Sequence, residues 1–213
     1  MRSSIFVLSL LALSACNNDP TKGKPQATVS SPLVTSTAAP AGGTPAPAGV
    51  TTQYAFSNEG SQLAFVGAKV TGKHDGSFKA FRGTISVVDN DPAKSTVTVE
   101  ADSASLDTDT AKLTGHLKSP DFFDVEKYPK VKFNSTSIVK AGSGYTVTGN
   151  LDLHGVTKSI SFPASLQVAG DTATADAEFG INRKDFNIVY AGKPDDLIKD
   201  EVLIKLKLVA KKQ

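Results

Sequence analysis

The chain is poor in sulfur and in aromatic groups: 213 residues hold one cysteine, one methionine and no tryptophan. With one cysteine there is no internal disulfide, so a folded domain must be held by its core alone. An excess of one charge is missing too, since 23 basic and 21 acidic residues leave a formal +2. That balance makes no electrostatic case for nucleic acid or for an anionic membrane surface. After residues 5–13 no long apolar run occurs, so no segment has the roughly 20 apolar residues of a spanning helix. There is no Gly-x-Ser-x-Gly elbow, no P-loop and no dinucleotide fingerprint, and catalysis has no positive support.

What is present begins at the N-terminus. Arg2 precedes the run Ile5-Phe6-Val7-Leu8-Ser9-Leu10-Leu11-Ala12-Leu13, and Ser14, Ala15 and Cys16 follow. A charged start, a short apolar core and small residues describe a secretory signal over residues 1–15. The tetrad Leu13-Ser14-Ala15-Cys16 resembles the lipobox of bacterial lipoproteins. That resemblance implies cleavage before Cys16, lipidation of Cys16, and anchoring to a membrane through it. An ordinary signal with a chance cysteine is the alternative. With Asn17 in the next position, the sorting habit of such lipoproteins implies the bacterial cell envelope, at the outer membrane facing the periplasm.

Residues 16–52 read as a lipidated cysteine and a disordered Pro/Ala/Thr/Ser-rich tether. Pro20, Pro25, Pro32, Pro40, Pro45 and Pro47 fall here and no aromatic does, leaving little to offset ordering entropy. As a flexible chain it would span roughly 30 to 36 Å and hold the domain off the membrane.

Residues 53–213 change to short alternating runs. Leu63 to Ala68, Phe81 to Val87, Thr96 to Glu100, Val131 to Val139, Tyr145 to Leu153, Ile160 to Ala164, Ala173 to Phe179 and Val202 to Leu208 each have a period of two. That period predicts about eight strands with unlike faces. Turn-like links at Asp89–Pro92, Ala141–Gly144, His154-Gly155 and Ala169–Asp171 predict antiparallel neighbours. One helix is predicted from Thr108 to about Lys118, with Asp107 or Thr108 as its cap and Pro120 as its stop. Gly67, Gly83, Gly149 and the run Ala173, Ala175, Ala177 share faces with large apolar residues. They either make room for a guest or allow sharp bending.

Several segments together resemble the YceI-like family, named for its polyisoprenoid-binding members. The first is Leu117-Lys118-Ser119-Pro120-Asp121-Phe122-Phe123-Asp124, continuing through Tyr128-Pro129 to Phe133. The second is Gly149-Asn150-Leu151-Asp152-Leu153-His154-Gly155-Val156-Thr157-Lys158. The third is Ile181-Asn182-Arg183-Lys184-Asp185-Phe186, with Asp200-Glu201-Val202 later, and the stretch from Phe65 to Gly83 also fits. Two departures stand out: Asn187 replaces a glycine frequent in the family, and the loop Tyr190 to Lys199 is unlike the family's. The resemblance implies an all-β fold, an antiparallel eight-stranded lipocalin-like barrel with one short helix. It further implies a long-chain amphiphile inside, isoprenoid or fatty-acid-like.

The candidate lining is Phe65, Phe81, Phe122, Phe123, Phe133, Leu151 and Phe179, with His74 and Arg183 as candidates for a polar head group. The alternative is a filled core, which is what aromatic stripes usually make, in an interaction module for a protein partner. Adjacent Phe122 and Phe123 point different ways on this reading, so only one enters a cavity squarely. His74 is placed in a glycine-rich loop, His116 at the helix end and His154 in a turn, at no metal-ligand spacing. An arginine fork at Arg183 suits phosphate, and an ion pair with Asp185 or a neighbouring acid competes with that reading. No metal and no cofactor are expected, and a homodimer is left open.

Overall fold

The computed structural model describes residues 18–32 and 49–213. The signal segment, Cys16 and residues 33–48 of the expected tether lie outside the described residues. The elements are β1 (Thr28–Ser30), β2 (Thr51–Ser57), β3 (Gln62–Lys69), β4 (Gly72–Phe78), β5 (Phe81–Val88), β6 (Asp91–Asp102), β7 (Leu106–Thr108), α1 (Ala111–Lys118), β8 (Lys130–Ala141), β9 (Gly144–Leu153), β10 (Val156–Ala169), β11 (Thr172–Asn182), β12 (Gly192–Lys193), β13 (Asp196–Leu197) and β14 (Glu201–Lys212).

The fold is the expected closed antiparallel barrel of eight strands. β2 and β3 run the same way in succession and act as one bent strand, as do β4 and β5. Neighbours then follow chain order through β6, β8, β9, β10 and β11, and β14 returns to β2 and β3. Closure removes the free edges that an open sheet would expose. The turn at Asp89-Asn90 has both residues at positive φ, 53° and 57°. That geometry matches the twist of a tight hairpin and suits Asp and Asn.

Two of the small residues permit bending. A Cβ at Gly149 would lie 2.5 Å from the Asn134 carbonyl and 2.5 Å from the Phe133 ring. A Cβ at Gly83 would collide with the Thr98 carbonyl and the Phe56 ring. In both places an aromatic ring from the neighbouring strand covers the missing side chain, which lets the wall curve tightly.

Three readings need correction. The helix begins at Ala111 with Thr110 as its cap residue, not Asp107 or Thr108, because Leu106–Thr108 pairs with β4 as a strand. His74 lies in β4, opposite Gly67, rather than in a loop; the glycines at 72 and 76 disguise a strand. The third correction concerns the tether. Residues 18–32 lie on the barrel, and β2 already begins at Thr51.

The register explains how a segment so poor in apolar side chains becomes ordered. β10 pairs with β11 only from Ser165 to Ala169, so the wall has a slit between their remaining halves. Residues 25–30 fill it. Thr28, Val29 and Ser30 pair with Ser161, Ile160 and Ser159, and Gln26 bridges Gly180 on the other side. Ala27 donates to the Gly180 carbonyl and Gly180 to the Pro25 carbonyl, each at 2.9 Å. Ala27 and Val29 pack against the core. Backbone groups of the wall, which must find partners when buried, supply the ordering that the side chains do not.

Candidate functional site

The barrel is solid at one end and hollow at the other. At the end carrying the turns near Asn90 and Gly170, Tyr54, Ile85, Val87, Ala173 and Ala210 are buried in contiguous core. The Tyr54 hydroxyl donates to the Gly170 carbonyl at 3.0 Å. Beyond this plug lies a cavity of about 630 Å³, lined mainly by apolar side chains. Its wall includes Leu63, Phe65 and Gly67 from β3, Val99 from β6, Phe133 from β8 and Leu151 from β9. Phe162 and Leu166 come from β10, Ala177 and Phe179 from β11, and Ile204 and Leu206 from β14. The inward faces come from the period-two pattern: Phe65 pairs with Ile204 and Leu63 with Leu206 across one face.

Rings line one side closely. Phe162 stacks on Phe179 at 4.1 Å between centroids, and Phe133 meets Phe162 at 5.7 Å. Above them Phe65, Phe78 and Phe123 form a second cluster, with centroids 5.9 to 6.4 Å apart. Phe122 packs on His116 at 5.0 Å and on Tyr190 at 5.3 Å.

The mouth opens between the β3–β4 turn, the start of α1 and the β12–β13 hairpin. Lys69, His74, Thr110, Lys112, Lys193 and Asp196 carry the lining to the surface. Lys69 and Asp196 form an ion pair at 2.5 Å, and Thr71 donates its N–H and hydroxyl to the same carboxylate at 3.2 and 2.9 Å. The Lys69 ammonium, and then those donors, hold the Asp196 carboxyl below the ordinary carboxylate value. His74 Nδ1 meets the Asp109 carboxylate at 3.0 Å.

Of the nine candidate ligand residues, Phe65, Phe122, Phe123, Phe133, Leu151, Phe179, His74 and Arg183 line this cavity. Phe81 does not. It is buried in the core beside the bend between β4 and β5, opposite Ala101. Phe122 and Phe123 both reach the lining, against the expectation that only one would. They sit in a turn rather than a strand, with Phe122 N–H donating to the Ser119 carbonyl and Phe123 N–H to the Leu117 carbonyl. The alternation of an extended chain therefore does not apply to them.

Arg183 is buried and structural. Its Nε donates to the Lys199 carbonyl at 3.1 Å, Nη1 to the Ile188 carbonyl at 2.6 Å and Nη2 to Asp200 at 3.1 Å. Three of its five N–H donors thus bind the loop that ends at β14, which argues against a phosphate fork. Burial pushes its pKa down, and Asp200 offsets part of that shift. Asn187, where the family often has glycine, keeps the left-handed turn at φ 57°. His154 Nδ1 lies 3.2 Å from the Phe186 carbonyl, and His116 Nε2 meets Asp121 at 2.9 Å. Among the described residues no group of three or more His, Cys, Asp or Glu could hold a metal ion.

Phe162, Phe78, Leu63, Ile204 and Leu206 are lining residues that sequence reasoning passed over. For Phe162, Leu63, Ile204 and Leu206 the signal was available in the alternation itself. For Phe78 it was hidden in a stretch that reads as a polar loop.

Comparison with known proteins agrees with this geometry. A family profile described as the YceI-like domain matches residues 54–210. The UPF0312 protein plu2095 of Photorhabdus laumondii is 42% identical over 118 residues, covering 53% of this chain and 62% of that protein. Protein YceI of Salmonella arizonae is 38% identical over 151 residues, 65% of this chain and 78% of the relative. Among solved structures, BcnA of Burkholderia cenocepacia superposes with a TM-score of 0.66 at 28% identity, covering 73% of this chain and 99% of that one. A polyisoprenoid binding domain from Saccharophagus degradans shares the fold at TM-score 0.59 and 16% identity, over 76% of this chain and 98% of that one. The profile spans the barrel from β2 to β14, and by that match the chain belongs to the YceI-like family.

Proposed function

We propose that this protein is an envelope lipoprotein, anchored through Cys16, whose barrel binds or carries a long-chain amphiphile, isoprenoid or fatty-acid-like. The observation that carries the ligand reading is the hollow half of the barrel. An apolar cavity of about 630 Å³ lies within the range of small-molecule sites. A filled-core interaction module has no use for that space. The likeness to a polyisoprenoid binding domain supports the fold that such a ligand needs.

The lining suits a chain rather than a compact ligand. Apolar side chains surround the interior, and polar groups gather at the mouth. Among the lining residues Lys69 is paired with Asp196 and Arg183 with Asp200, which leaves the charges of Lys112, Lys193 and Lys199 in excess. A head group at this mouth is therefore anionic or a hydrogen-bond acceptor, and the chain goes inward. Each buried CH₂ contributes about 0.8 kcal/mol, so ten carbons supply on the order of 8 kcal/mol before ordering costs are deducted. Binding needs no reaction of the guest.

Two assays test the two halves of this proposal. Titration with a dansyl-labelled fatty acid should give saturable, one-to-one enhancement of emission, displaced by unlabelled isoprenoid alcohols. No saturable uptake would overturn the ligand reading. Labelled palmitate fed to cells should mark the protein and be lost in Cys16→Ser. Equal labelling of both would overturn the anchor.

A further inference from the structure

The tether expected from the sequence would let the barrel hang tens of ångströms from its anchor, but the fold shortens that leash to two residues. Asn18 donates its side-chain N–H to the Val70 carbonyl at 2.7 Å, and Lys73 Nζ reaches the Asp19 carbonyl at 3.4 Å. The Asp19 carboxylate accepts the Thr21 N–H and hydroxyl, each at 2.8 Å, and Thr21 is 3% exposed. Lys24 then pairs with Glu178 at 2.6 Å on β11. From Asn18 back to Cys16 the covalent chain reaches at most ~7 Å. Whatever holds Cys16 holds the β3–β4 turn beside it.

That turn belongs to the open end of the barrel. Five large apolar side chains among the described residues are exposed, and three of them gather here: Val70 at 53%, Val189 at 62% and Leu197 at 49%. The Val70 N–H donates to the Leu197 carbonyl at 3.0 Å, which sets these two tips side by side. Val189 precedes Tyr190, a lining residue of the cavity. Around the same mouth stand Lys73, Lys112 and Lys193, all exposed. The exposed acids there are Asp75, Asp109 and Asp195, with Asp109 against His74. The other two exposed apolar residues, Val50 and Val139, lie at the plugged end.

We propose that the open end of the barrel docks on the bilayer that holds Cys16. Val70, Val189 and Leu197 enter the head-group region, the lysines face anionic phospholipid head groups, and the cavity opens onto lipid instead of water. This rests on the reading that Cys16 is lipidated. The acyl anchor supplies the affinity, while the short leash and the apolar rim supply the orientation. An amphiphile can then pass between bilayer and cavity without exposing its chain, which is the costly step of transfer through water.

The test uses the full chain purified from its membrane and placed in vesicles of phosphatidylethanolamine and phosphatidylglycerol. Mass spectrometry first reports whether Cys16 is acylated. In the acylated chain that position is blocked, so Leu197→Cys and Val139→Cys each offer one thiol for a spin label. The label at position 197 should lose accessibility to a water-soluble nickel chelate and gain accessibility to oxygen when vesicles are present. The label at position 139 should not change. An acylated chain whose two labels behave alike overturns the docking and leaves the anchor standing. An unacylated Cys16 removes the anchor and the docking together.

Discussion

Gly67 gives the most direct handle on the cavity. It shares the inward face of β3 with Leu63 and Phe65, it lines the cavity, and a Cβ placed on it meets nothing within 4 Å. Gly67→Leu therefore adds four side-chain carbons to empty space. A guest chain must withdraw a similar number of carbons from contact. At about 0.8 kcal/mol per buried CH₂ the loss is about 3 kcal/mol, on the order of a hundredfold in Kd. The same substitution should not harm the fold. A glycine inside a strand costs about 0.5–1 kcal/mol relative to alanine, and the new side chain covers apolar wall. The variant should melt at or above the parent's temperature while its affinity for a labelled fatty acid falls. Unchanged affinity in a variant that melts like the parent would refute the assignment of this cavity as the binding site.

Gly149→Ala tests the other role of small residues: with a backbone carbonyl 2.5 Å from the new Cβ, it should lower stability by roughly 1–3 kcal/mol in a urea melt. Arg183→Met leaves the Lys199 and Ile188 carbonyls without their donor, at a cost of roughly 1–3 kcal/mol; limited proteolysis should then cut between residues 188 and 200 before the barrel unfolds. Acid should release the N-terminal segment first. The Thr21 N–H, then its hydroxyl, hold the Asp19 carboxyl below 3.8 in the folded chain. That contribution is complete above the unfolded value and is lost as pH falls through the depressed one. Amide exchange across residues 18–24 should thus accelerate below about pH 4 while β9 and β10 stay protected.

The eight long strands and their turns were legible because each buries one face, and a period of two records that directly. Among the elements that were not, two show why. β4 carries Gly72, Lys73, His74, Asp75 and Gly76, so its composition reads as a loop; its pairing with β3 and β7 holds it as a strand. Residues 25–30 have no apolar alternation, and their order comes from a slit in a wall that only the three-dimensional register reveals. The cavity was partly legible. Inward phenylalanines could be named from alternation, but whether they meet or leave space depends on how far the wall curves at Gly83 and Gly149. Arg183 shows the same limit: its type suits phosphate, yet its donors are taken by carbonyls 5 and 16 residues away along the chain.

The central claim is that the hollow end of this barrel holds a long-chain amphiphile. Organic extraction of the purified mature protein, with mass spectrometry of the extract, tests it most directly. Any chain bound covalently at Cys16 would stay with the protein, so the extract reports non-covalent guests alone. Recovery of a long-chain amphiphile near one per protein, lost in Gly67→Leu, is the expected result. An extract without lipid, from a protein that also takes up no isoprenoid analogue, would contradict it.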